Sequence, residues 1–233
     1  MIAIAEKESL LHRAMRAVFY AWVFLLVLAL YPYTSDPAAP IKYLISAVAA
    51  VVLSTLGVVA TMRHPETARR VSPLLWLLGA FLAVNLLAAA LSDYPSNSLN
   101  ATRPWIVFSL IAFHAAHVFT REEHAWRLLA AFTAAAALSS LYGFSQYFGF
   151  DPFPWSMRDV EEYYGLPSTY ANPNFAGHTL VMALLMTLGA AWRSRAAAAA
   201  NAAPGGKGWR RHVHWGFLLF AALIGGHLYL TRM

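Results

Sequence analysis

The sequence predicts an all-α, multi-pass membrane protein, and three observations carry that prediction. Hydrophobic residues make up 59% of the 233-residue chain and charged ones only 12%, about half the charged share of a soluble domain. Seven stretches free of Lys, Arg, Asp and Glu recur along it: Ala17–Tyr31, Tyr43–Met62, Pro73–Leu91, Pro104–Phe119, Leu128–Phe148, Asn174–Trp192 and His214–Leu230. The basic residues segregate into alternate connections between them. A helix of about 20 residues, rising about 1.5 Å per residue, crosses the roughly 30 Å hydrocarbon core of a bilayer. Backbone in lipid must satisfy its own polar groups, so spans of this kind are helices.

The first stretch follows Lys7, Arg13 and Arg16 and ends at Tyr31-Pro32. It lacks the small-residue cleavage pattern of a secretory leader, so it is expected to stay as a signal anchor. A connection punctuated by Pro32, Pro37 and Pro40 leads to the second stretch, and Arg63–Ser72, with Pro65 and Arg69-Arg70, leads to the third. Ser92–Arg103, rich in Ser, Asn and Pro, reads as an irregular solvated loop before the fourth. Thr120–Arg127 is so short that the fourth and fifth stretches must be antiparallel neighbours. Gly149–Ala171 reads as a long outer loop, and Arg193–His212, with its alanine run and Pro204-Gly205-Gly206, as a flexible inner tether.

With the N-terminus in the cytoplasm, thirteen of the 17 basic residues fall on the inner side. The four on the outer side are Lys42, Arg103, Arg158 and Arg232. Positive-inside bias therefore predicts a cytoplasmic N-terminus and a periplasmic C-terminus in a bacterial inner membrane. The net charge of +6 is topogenic on this reading, attracts anionic lipid headgroups and needs no nucleic acid to explain it. Membrane lipids are the expected surroundings, and a larger membrane complex is an open alternative.

Composition removes several function classes. There is no cysteine, hence no disulfide, thiolate metal site or cysteine nucleophile. The spans hold no carboxylate to form a proton path, and the seventh holds no lysine for a retinal Schiff base. Gly205, Gly206 and Gly208 lack the spacing of a phosphate-binding loop.

His114 and His117 lie three apart on one face of the fourth stretch, with His178 and His227 in the sixth and seventh. Such imidazoles can ligate haem or a metal, or bond a neighbouring helix. No carboxylate stands by in the spans to orient a ligating ring, and no metal or cofactor is expected. Asn85, Ser139, Ser140 and Gln146 read as hydrogen-bonding groups between helices. The aromatics of the long outer loop, among them Trp155 and Tyr170, suit either a sugar ring or the headgroup belt. Arg103 offers a planar fork for phosphate oxygens, or a snorkelling anchor. Asn172 can cap the sixth helix, with Pro173 where a missing donor costs nothing; neither role requires Asn174.

Three stretches resemble the O-antigen ligase and polymerase superfamily, which includes bacterial O-linked oligosaccharyltransferases. They are Tyr142-Gly143-Phe144-Ser145-Gln146-Tyr147-Phe148-Gly149-Phe150-Asp151-Pro152, the Asn-Pro-Asn run within Ser168 to Ala176, and Ser92-Asp93-Tyr94 followed by Arg103. Asp36-Pro37 and Lys42 are weaker echoes. The resemblance implies a polytopic enzyme of lipopolysaccharide biosynthesis that transfers a glycan from a polyprenyl pyrophosphate without a metal. It further implies Arg103 and Arg158 as pyrophosphate contacts, with Asn172 and Asn174 shaping the site. The family's large periplasmic loop, with the histidine implied as general base, follows where Leu230-Thr231-Arg232-Met233 ends this chain. The expectation is thus the N-terminal portion of such a transferase, without activity of its own. The alternative, from another class, is a structural or pigment- or haem-associated subunit of a membrane complex.

Overall fold

A computed structural model of the chain describes residues 10–34, 36–63, 73–153, 168–200 and 213–231. Among the described residues there is no strand. The helices in order are α1 (Leu10–Leu28), α2 (Ala39–Arg63), α3 (Pro73–Ala90), α4 (Pro95–Val118), α5 (Glu122–Tyr147), α6 (Pro173–Ala200) and α7 (Val213–Leu230). A 3-10 turn, Ser168–Tyr170, precedes α6. Six helices, all but α4, are long and apolar enough to cross a membrane. Large apolar side chains such as Leu74, Trp76, Leu77 and Val84 on α3 are exposed, as on a helix that meets lipid or another membrane helix. The protein is a multi-pass membrane protein.

The helices outrun the charge-free stretches at several ends, each for a local reason. α1 begins at Leu10 and takes in Arg13 and Arg16, because long basic side chains lay their stems on an apolar surface while the head reaches polar groups. α5 begins at Glu122, whose carboxylate and that of Glu123 favour the positive end of the helix dipole. Those acids also hold the next turn: Glu123 pairs with Arg127, and Glu122 accepts from the Trp126 indole at 3.1 Å. α6 runs on through the alanine run to Ala200, alanine being the best helix former, so the tether expected from Arg193 is helical at its start.

The largest departure is α4. The stretch Ser92–Arg103 is not an irregular loop: helix begins at Pro95. Proline at the start of a helix forfeits only a donor that had no partner. The Thr102 hydroxyl returns a bond to the Ser98 carbonyl at 2.6 Å, and Ser98 bonds Ser92 at 2.9 Å. Pro104, expected to open this helix, lies inside it. Arg103 therefore rides on a helix rather than in a loop.

The chain divides into two compact units. The first comprises Met1–Trp22 and Tyr43–Arg127. Phe19, 1% exposed, meets Phe119 edge-on with ring centroids 5.1 Å apart. Trp22 donates to the Ser46 hydroxyl at 3.1 Å, and Phe81 meets Trp105 where α3 packs on α4. The second unit comprises Val23–Lys42 and Leu128–Met233. Its core joins Val27, Ala135, Ala136, Tyr170, Leu180 and Ile224, with α6 and α7 packed along one another. Small residues let the helices approach closely there, as lipid-embedded helices require.

One such approach is at its limit. His227 is fully buried on α7, with Nδ1 3.3 Å from the Ser140 hydroxyl of α5. Its ring covers Gly143, where an added Cβ would stand 2.3 Å from Nε2. Gly143→Ala is expected to lower stability by about 1–3 kcal/mol, read as an earlier midpoint on titration with a denaturing detergent. Gly79→Ala, whose Cβ would meet nothing within 4 Å, is the control and should not lower it.

Candidate functional site

In the second unit, α5 ends and α6 begins in polar groups that bond one another, an unusual density in so apolar a chain. α5 closes with Gly149 at φ +77. The Phe150 N–H returns to the Ser145 carbonyl at 2.8 Å and the Gly149 N–H to Gln146 at 3.0 Å, the paired bonds of a Schellman cap that favours glycine. The cap delivers Asp151 back to α5. Its carboxylate accepts from the Tyr142 hydroxyl at 2.8 Å, the Gln146 amide at 2.9 Å and the Phe153 N–H at 3.1 Å.

Gln146 faces both ways. Its Nε2 donates to Asp151 while its Oε1 accepts from the Ser168 N–H at 2.9 Å, which fixes the amide's orientation. Ser168 has φ 50 and Ala171 φ 58, left-handed conformations that cost a residue with a Cβ about 1–2 kcal/mol. They persist because the surroundings hold them.

Each hydroxyl in this turn has one proton to give. Thr169 donates to the Val27 carbonyl at 2.7 Å, and Ser168 donates to the Ser139 carbonyl. The Ser139 hydroxyl, 2.8 Å from Thr169 and 2.9 Å from Ser168, is then left to share its one proton between them. All three side chains are buried. Val27 belongs to the last turn of α1, whose carbonyls have no intrahelical partner. Lys42 completes that end: its ammonium donates to Leu26 at 2.6 Å and Val27 at 3.0 Å and lies 5.3 Å from the centre of the Tyr170 ring. Burial pushes the Tyr170 phenol up to about 12. The nearby Ser139 hydroxyl opposes that shift, without a hydrogen bond of ordinary geometry.

At the start of α6 the Asn172 side chain accepts the Asn174 N–H at 2.8 Å, an N-cap bond, with Pro173 as the first helical residue. Asn172 and Asn174 thus meet through a backbone donor, and the Asn174 side chain is exposed. Arg103 belongs to the other unit, exposed on α4. Arg158 lies outside the described residues, as does Trp155.

His114 and His117 both line a cavity of about 580 Å³ in the first unit, together with His12, Ser54, Gly57 and Phe113. His114 Nε2 is 3.2 Å from the Ser54 hydroxyl of α2. His117 Nδ1 donates to the Phe113 carbonyl of its own helix at 2.7 Å. His114 and His227 therefore bond hydroxyls of neighbouring helices. Among the described residues no three His, Asp or Glu side chains gather as a metal site.

Ser168, Thr169 and Lys42 are the members of the turn whose role the sequence leaves unread. The available signal is Lys42 itself, a charge just inside a helix that follows Pro32 and Pro37 and holds Pro40 in its first turn. Set against protein-family models, curated proteins and solved structures, the chain matches none of them.

Two substitutions test this construction through unfolding midpoints in mixed micelles. Lys42→Met strands the Leu26 carbonyl, leaves that of Val27 to Thr169 alone, and should lower stability by about 1–3 kcal/mol. Ala171→Gly relieves the left-handed backbone at a smaller entropic cost in the unfolded chain, so it should be neutral or stabilising by up to about 1 kcal/mol.

Proposed function

We propose that the chain binds a polyprenyl-pyrophosphate-linked glycan at the outer face of a bacterial inner membrane, as the donor-binding N-terminal portion of an O-antigen ligase-type glycosyltransferase. One observation carries the reading. The run from Ser168 to Ala176, where the resemblance to that superfamily is strongest, folds into a strained turn held by four hydroxyl or amide side chains. Strain that a structure maintains at such expense collects at functional sites.

In this reading α4 is the seventh span, the N-terminus is cytoplasmic and the turn into α6 faces outward. The apolar part of α4, from Pro104 to Val118, is about 22 Å long at 1.5 Å per residue, somewhat short of a hydrocarbon core. Its first turns carry Ser96, Asn97, Ser98, Asn100 and Thr102 and suit the headgroup zone. Arg103 stands at the junction of the two, the depth at which the phosphates of a membrane-anchored donor lie. A guanidinium there grips pyrophosphate oxygens in pairs and stabilises the negative charge that grows on them as the glycan departs. The Asn172 cap and the exposed Asn174 shape the outer end of α6. Donor binding is the role assigned to this chain, and no general base is assigned to it.

The test is titration of the protein in nanodiscs with a labelled polyprenyl-pyrophosphate disaccharide. Arg103→Ala should weaken binding about 10- to 100-fold, the worth of a charge-assisted hydrogen bond. Arg103→Lys should fall between, since an ammonium lacks the fork. Wild-type affinity in Arg103→Ala would remove that residue, and failure of the wild type to bind would sink the function.

A further inference from the structure

Where α6 ends and α7 starts, both within the second unit, a second cavity of about 430 Å³ opens on the surface. Its lining is graded along the helices. Leu188 and Leu218 lie at one end, Arg195 and His214 at the other, with Trp192 and Trp215 alongside. From Leu188 to Arg195 the helix rises about 10 Å, so the site is apolar at one level and cationic at the next. That matches the step from acyl chain to headgroup.

Three further facts point to an anion at the polar end. Arg193 and Arg195 lie on the last turns of α6, a helix that carries no acid. His214 and Trp215 lie in the first turn of α7, which begins at Val213 and is the positive end of that helix's dipole. The His214 Nδ1 is buried without a hydrogen-bond partner among the described residues. Nothing on that side dictates the tautomer, so Nε2 is able to carry the proton and donate it to an anion. The two indoles, 77% and 62% exposed, are the side chains that settle at the membrane–water boundary.

We infer that this cavity binds the phosphate of an anionic phospholipid. Arg195 supplies the planar fork on the phosphate oxygens and His214 a second donor. Trp192 and Trp215 flank the glycerol region, and Leu188 and Leu218 meet the first carbons of an acyl chain. A basic pocket between membrane helices is the ordinary means of holding such a headgroup.

The experiment is native mass spectrometry of the full chain released from micelles holding equal amounts of phosphatidylglycerol and phosphatidylcholine. Phosphatidylglycerol adducts should exceed phosphatidylcholine adducts about fivefold, the worth of one cation at the headgroup level. Arg195→Gln should bring the two near equality, with its thermal midpoint unchanged because the side chain is on the surface. His214→Gln should remove part of the preference. Equal adducts on the wild type, or an undiminished preference in Arg195→Gln, would overturn the assignment. Displacement of the lipid by millimolar inorganic phosphate would overturn it in favour of a soluble phosphate. Neither result bears on the pyrophosphate site at Arg103.

Discussion

Backbone that leaves a helix at the margin of a bilayer must find hydrogen-bond partners among side chains, and that constraint shapes the second unit. α1 stops at Leu28 and α5 at Tyr147, each leaving carbonyls with no intrahelical donor. The carbonyls of Leu26 and Val27 are met by Lys42 and Thr169. Those of Ser145 and Gln146 are met by the glycine cap. Thr169 stands 142 residues from its acceptor, so a local need at the end of the first helix positions the turn before the sixth. The left-handed Ser168 and Ala171 stand on either side of that tie, just before α6 begins at Pro173.

The parts legible in the sequence were those governed by a one-dimensional rule. Carboxylates and basic side chains are costly in hydrocarbon, so charge-free stretches mark the middles of the helices dependably. The ends are another matter. A helix extends past the lipid into water, and neither Arg13 and Arg16 in α1 nor the polar turns Pro95–Arg103 of α4 prevent it. The Asn172-Pro173 start of α6 was readable because capping is local in sequence. The hydroxyl cluster was not, since Ser139 meets Ser168 across 29 residues, and each serine alone reads as a generic bond between helices.

The histidines illustrate the same division. Three apart on one face, His114 and His117 suggest ligands, yet what decides their role is the partner. Ser54 answers His114, Ser140 answers His227, and the Phe113 carbonyl answers His117. Gly57 and Gly143 are the complement of these rings. An added Cβ would stand 2.7 Å from His114 at the first and 2.3 Å from His227 at the second. His114 borders a cavity, but turning it away from an intruding methyl would give up its bond to Ser54, whereas His227 is fully buried. Both glycines thus make room for a ring on a neighbouring helix, with the tighter fit at Gly143.

Arginine serves this chain in more than one way, and burial sorts the uses. Arg16 is 5% exposed, so its stem is committed to packing and its head to groups within the protein. Arg127 pairs with Glu123 one turn away in the open, a geometry worth a few tenths of a kcal/mol. Arg103 and Arg195 are exposed on helix surfaces. Each stands where its helix passes from polar to apolar residues, Arg103 before Pro104 and Arg195 after Trp192. Their backbones are held by helix on either side, so a phosphate that meets them is spared the cost of ordering a loop. What separates the two is the neighbourhood: Arg195 shares a cavity with an imidazole and two indoles, whereas Arg103 follows about two turns of mainly hydroxyl and amide side chains. On the proposed readings, the first meets a headgroup that continues into acyl chain and the second a pyrophosphate that continues into sugar.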